Sequence, residues 1–275
     1  MKLRKVFTFY FLLFVFSSIF AWCKKSVPFM KKFWGFLLVI VLMTSCGEYQ
    51  SLLKSNDYNL VYKKAIEYYN KGDYQRAMNL LDGVRSVFVG QAKAQNIAYY
   101  RAFCSYNMKD YQIASDLFKQ FIQTYPESSF AEECLYMMGF CDYKASPKPR
   151  LDQQVTEKAI REFQLYLSRY PYSMRKDKVN TYMDEMRDKL SYKAYLSAKN
   201  YYLREHYKAA VISLQNCLKD YPGSKYREEI MYMLFVSKYQ MAVNSVEDKK
   251  VERYNNAREE YYYFADEYPN SRYAA

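Results

Sequence analysis

Four times the chain writes Tyr-Pro-x-Ser, and each time an Ala stands twelve residues before the Pro. The four segments are Tyr125-Pro126-Glu127-Ser128, Tyr170-Pro171-Tyr172-Ser173, Tyr221-Pro222-Gly223-Ser224 and Tyr268-Pro269-Asn270-Ser271, with Ala114, Ala159, Ala210 and Ala257 upstream. Three of those alanines have a Tyr three residues before them (Tyr111, Tyr207, Tyr254), and Tyr74 and Ala77 repeat the pair near the start. Spacing that does not drift marks a structural repeat, and missing it would mis-assign the whole fold.

Between Ala and Pro the residues trace one helical face. Four after the Ala come Leu81, Phe118, Phe163, Leu214 and Tyr261; seven after it come Val84, Phe121, Tyr166, Cys217 and Phe264. Offsets of four and seven fall on one stripe of an α-helix. Proline ends that helix, and the Ser after it can accept a backbone N–H at the start of the next. Twelve residues before the Ala sit Ala65, Ala102 and Ala198, small enough for two helices to approach closely; Gly139 and Phe235 take that place if eight and ten inserted residues are allowed.

Each unit is therefore a helix–turn–helix of about 34 residues, which cannot bury its apolar faces alone and must stack on its neighbours. The spacing matches the tetratricopeptide pattern. The reading is an all-α solenoid of five units at 57–90, 92–126, 128–171, 174–222 and 224–269. The first has Val89 where the others have Pro, and the fourth begins with an additional helical stretch from Lys176 to Leu190. Inserted loops are expected at Lys144 to Gln154, marked by Pro147 and Pro149, and at Ala242 to Lys250. Only six glycines follow Cys46, counting Gly47 beside it, too few for a turn-rich barrel or sandwich.

The first 45 residues differ from the rest. They carry seven Lys or Arg and no acid, so the net charge of +12 falls to +5 without them. That mildly basic remainder gives no electrostatic case for binding nucleic acid. Met30-Lys31-Lys32, the apolar run Phe33 to Met43 and the small residues before Cys46 resemble a bacterial lipoprotein signal. Cleavage is expected between Ser45 and Cys46, with the lipid, palmitate included, on Cys46 and residues 46–56 as a tether. A second apolar run, Val6 to Trp22, lies ahead. Translation from Met30 accounts for it, and an extra membrane segment is the alternative.

Catalytic chemistry is not assembled. The one histidine, His206, occupies the turn position held by Asp73 and Asp110 elsewhere, so a turn role is expected. One His supports neither a zinc site nor a Ser-His-Asp set. Cys134 and Cys141 are seven apart on one helix, roughly 10 Å along its axis, too far for a disulfide. Cys104 and Cys141 take equivalent places in adjacent repeats, and Cys217 fills a core slot. Adjacent carboxylates such as Glu132 and Glu133 point about 100° apart on a helix and do not converge. The expectation is a chain that is not an enzyme and has no cofactor or metal beyond the covalent lipid.

Asp152, Gln153 and Thr156, followed by Ala159, Phe163, Tyr170-Pro171, Ser173, Arg187-Asp188 and Leu190, give a more specific likeness. With the lipid signal and five repeats, the chain resembles the BamD family of outer-membrane lipoproteins over residues 46–270. The resemblance implies a scaffold on the periplasmic face of the outer membrane, within the β-barrel assembly machinery. Its repeats at 57–126 would face unfolded outer-membrane protein precursors, with Tyr62, Tyr69, Tyr99 and Tyr106 lining the groove. Repeat three, 127–173, would carry the inserted loop, and residues 174–275 would dock on the periplasmic domains of a BamA-type insertase. Arg187 and Lys189 would pair there with carboxylates, although Ser191 and Tyr192 depart from the family pattern. A tetratricopeptide lipoprotein of another envelope assembly or secretion system is the alternative, and a glycan-binding surface lipoprotein a third.

Overall fold

The structure, a computed structural model, describes residues 47–273; the signal region, its cleavage site and the lipidation residue Cys46 lie outside them. Two compact units are distinguished, one reaching Val61 and one from Tyr62 onward. In the first, helix α1 spans Gly47–Leu53 and helix α2 opens at Tyr58. Asp57 starts α2 by accepting the Leu60 N–H on its carboxylate at 3.0 Å.

The second unit holds the rest of α2 (Tyr58–Asn70) and nine further helices: α3 Tyr74–Val84, α4 Ala92–Asn107, α5 Tyr111–Thr124, α6 Ala131–Ala145, α7 Gln154–Arg169, α8 Lys176–Leu203, α9 Tyr207–Asp220, α10 Arg227–Val243 and α11 Glu247–Glu267. No strand occurs among the described residues. From α3 onward each helix packs on the next in sequence, the order of a tetratricopeptide-type solenoid.

Backbone chemistry makes the repeated turns. In each Tyr-Pro-x-Ser the Ser N–H donates to the Tyr carbonyl at 3.0–3.2 Å, and the Ser Oγ accepts the N–H two residues on. The Ser thus opens a turn, and the α-helix follows at Ala131, Lys176 and Arg227 rather than directly after the Ser. Between the two helices of a unit the chain passes through the left-handed region at Gly72 (φ 83°), Lys109 (φ 68°) and Glu205 (φ 58°). The next residue, Asp73, Asp110 or His206, returns its N–H to the carbonyl of Tyr68, Ser105 or Tyr201 at 3.0 Å. His206 has the turn role expected of it.

The apolar stripe packs as its spacing requires. Ala65, Ala102 and Ala198 are wholly buried, as are Leu81, Phe118, Phe163 and Leu214. Tyr261 departs and is 40% exposed. Its partner in the small position is Phe235, ring centroids 5.4 Å apart, and two large side chains cannot share a space cut for one. All four described cysteines are free, buried thiols.

Two expectations are corrected. The stretch Lys176 to Leu190 is not a separate helix but the first half of α8, which runs unbroken for 28 residues, about 42 Å at 1.5 Å per residue. Val179, Met183 and Met186 close the core of repeats two and three, while Tyr195 and Ala198 belong to that of repeats four and five. The loop expected from Ala242 to Lys250 shrinks to residues 244–246, because α10 and α11 absorb its ends. The other loop survives as residues 146–153.

Candidate functional site: a tyrosine-lined cleft

Relative to Ala65, Ala102, Gly139, Ala198 and Phe235, the equivalent residues of the five first helices, positions three before and four after are all tyrosine. The pairs are Tyr62/Tyr69, Tyr99/Tyr106, Tyr136/Tyr143, Tyr195/Tyr202 and Tyr232/Tyr239. Seven residues apart, the two rings of a pair share one helix face. The sequence reading found the first four of these ten; the offset that identifies the others was present but unused.

The earlier ring of each pair is covered by the start of the next repeat or, for the fifth, by Tyr273 just beyond it. Lys93 lies over Tyr62 at 5.9 Å, Phe130 over Tyr99 at 4.6 Å and Arg175 over Tyr136 at 4.9 Å. Tyr226 stacks on Tyr195 and Tyr273 on Tyr232, both at 4.4 Å. Hydroxyls are engaged as well. Tyr99 donates to Glu133 at 2.8 Å and Tyr195 donates to Glu229 at 2.9 Å. Burial raises the Tyr62 and Tyr106 pKa values and takes Tyr69 to about 12. Burial, then the Glu133 carboxylate, pushes Tyr99 up too. These phenols are neutral donors at physiological pH, not nucleophiles.

Between α2 and α4 the ladder opens into a cleft of about 530 Å³, lined by Tyr62, Tyr99, Tyr100, Phe130, Ile66, Asn70 and Asn96 among others. Of the four groove candidates, Tyr62 and Tyr99 line it. Tyr69 sits beneath, edge-on to Tyr100 at 5.0 Å, and Tyr106 packs against the core of repeats two and three. Tyr100, Phe130, Asn70 and Asn96 were missed. Aromatic faces beside carboxamides suit an extended chain, whose side chains rest on rings while its peptide groups meet amides.

A model of the YfiO outer membrane lipoprotein family matches residues 54–229 and 194–275. The chain belongs to that family. It is also the BamD family, so the likeness seen in the sequence holds, and an outer-membrane lipoprotein of the cell envelope is the class. No curated protein matches the chain.

The family stretch at 152–156 proves to be a strap for the loop between α6 and α7. The Lys189 ammonium donates to Ser146 Oγ at 2.6 Å, Ser146 bonds Thr156, and Thr156 donates to Gln153 Oε1 at 2.7 Å. Gln153 Nε2 then donates to the carbonyls of Lys148 at 2.9 Å and Leu151 at 3.1 Å. Every donor in that chain points the same way, which lets the bonds reinforce one another. Asp152 accepts the Gln154 N–H at 3.2 Å in the turn just ahead of α7. Lys189 is thereby turned inward, and burial lowers its pKa. Arg187 remains at the surface of α8, paired with Asp184 at 3.0 Å beside Asp188 and Asp220.

Proposed function

We propose that this chain is a lipid-anchored scaffold on the periplasmic face of the outer membrane, working within the β-barrel assembly machinery. It catalyses no reaction and holds no cofactor beyond the lipid on Cys46. Its first two repeats engage unfolded barrel precursors, and residues 174–275 dock on the periplasmic domains of a BamA-type insertase, with Arg187 offering its guanidinium to partner carboxylates.

The cleft between α2 and α4 carries this reading. Barrel precursors are extended chains rich in aromatic side chains. A wall containing Tyr62, Tyr99 and Tyr100 offers large contact area at little cost in side-chain entropy, with Asn70 and Asn96 for the peptide groups. Family membership supplies the envelope and the assembly context.

The test places a photo-crosslinking residue at Lys63, on the cleft, and at Gln215, exposed on α9, in cells exporting a barrel protein. Precursor should crosslink at position 63 and not at 215, with several-fold loss in Tyr62→Ala/Tyr99→Ala. Affinity capture from detergent-solubilised envelopes should recover the insertase, less of it with Arg187→Glu. Recovery of a pilus, secretion or transporter set instead would retire the assembly assignment.

A further inference from the structure

A second and larger cleft, about 800 Å³, lies along the latter half of α8 and takes in Arg150 from the strapped loop. Its charge is one-sided. Arg150, Lys193 and Lys199 line it, and no carboxylate does. Lys199 is neutralised by Glu229 at 2.7 Å. Lys193 is not: its ammonium donates to the Leu151 carbonyl at 2.8 Å, which satisfies a proton and leaves the charge. No ion pair of Arg150 is found among the described residues. Two uncompensated cations thus face one opening.

Apart from Ser197 and Asn200, the remaining wall is aromatic and aliphatic. Tyr192, Tyr195 and Tyr226 are stacked on one another, with centroids 4.4–6.2 Å apart, and Leu203 is 67% exposed at the rim. The first cleft, with carboxamides and one Lys beside one Glu, lacks this imbalance.

We infer that the α8 cleft is a separate binding site for an acidic, apolar segment of a partner protein. Two carboxylates would meet Arg150 and Lys193, and a leucine or aromatic side chain between them would rest on Tyr192 and Leu203. Two free cations call for two negative charges, which an internal acidic segment supplies and a single chain terminus does not. The loop strap holds Arg150 in register with α8, because Lys193 bonds the loop backbone next to it. This site stands whether or not precursors enter the first cleft.

The test uses the full-length protein in detergent and a short fluorescein-labelled peptide alternating glutamate with leucine and phenylalanine, followed by fluorescence anisotropy. The peptide should bind with an affinity that falls as salt is added. Arg150→Glu/Lys193→Glu should weaken it about tenfold or more. Leu203→Glu, a surface change that spares the loop strap, should weaken it as well. Asn70→Ala/Asn96→Ala, in the first cleft, should leave it unchanged. Equal binding of a lysine-for-glutamate peptide would overturn the inference. So would unaltered binding to both α8 variants, or displacement of the peptide by phosphatidylglycerol vesicles, which would make the cleft a lipid site. Precursor crosslinking at Lys63 is read separately, so either result can fail alone.

Discussion

The Tyr99 hydroxyl lies 2.8 Å from Oε2 of Glu133, a residue 34 positions further on. The same offset joins Tyr195 to Glu229. One repeat length therefore connects equivalent points on neighbouring first helices, so Tyr99 and Tyr195 each tie one repeat to the next besides lining a surface.

Removing one such tie should cost stability without unfolding the chain. Tyr99→Phe keeps the ring against Phe130 and deletes only the hydroxyl. A hydrogen bond to a charged group contributes roughly 1.5–3 kcal/mol, and a half-exposed Glu133 puts this case at or below the low end. Tyr99→Ala also loses the ring contacts and should cost about 3 kcal/mol or more. Chemical denaturation should rank wild type above Tyr99→Phe above Tyr99→Ala. Equal midpoints for the first two would show that the hydroxyl holds nothing.

Gly139 is set by Phe163. A Cβ on residue 139 would sit 2.9 Å from Phe163 Cδ1, and that ring is fully buried. Neither side can yield, so Gly139→Ala should destabilise by about 1–3 kcal/mol despite the helix propensity it gains. Gly139→Ala/Phe163→Leu should recover part of that loss, a coupling that a double-mutant cycle measures directly. Additive effects would mean the contact is slack.

These two contacts differ in how far the sequence discloses them. Gly139 was legible as a small position because its ruler runs through Pro and Ser, residues that write turns by local backbone chemistry. The Tyr99 tie was not, because the residue 34 positions on changes type between repeats: Asn96, Glu133 and Glu229 share only that offset. Fusion of Lys176–Leu190 with the next helix was equally hidden, since no Pro or Gly marks a junction that tertiary packing decides. The inward turn of Lys189 follows from the strap, which needs Ser146 and Thr156 brought beside α8 by the fold. For the cleft, aromatic type was readable and lining was not: Tyr62 and Tyr69 are one face in sequence, yet only Tyr62 opens onto the space.

Burial sets a pH dependence in the middle of the solenoid. Glu162, 8% exposed, faces Asp142, 2% exposed, with Lys158 between helices at 2.9 Å from Asp142 and 3.7 Å from Glu162. Ser115 donates to Asp142 at 3.0 Å, and Asp116 stands 3.8 Å from Lys158. Burial first, and then Asp142, pushes the Glu162 pKa from 4.5 to about 8; Lys158 opposes them only in part. The folded chain therefore keeps a proton on Glu162 that the unfolded chain loses above its ordinary pKa. Stability from this group is fully present below about pH 4.5 and is lost as the pH rises towards 8, with a slope of at most about 1.4 kcal/mol per pH unit. Glu162→Gln, neutral throughout, should flatten the decline between pH 5 and pH 8 while leaving the acid limb, where Glu229 and Glu267 are held below their ordinary values, in place. Urea midpoints across that range give the answer. An unchanged slope in the Gln variant would place the proton elsewhere, and a steeper one would mean that Glu162 is ionised and paired with Lys158 in the native state.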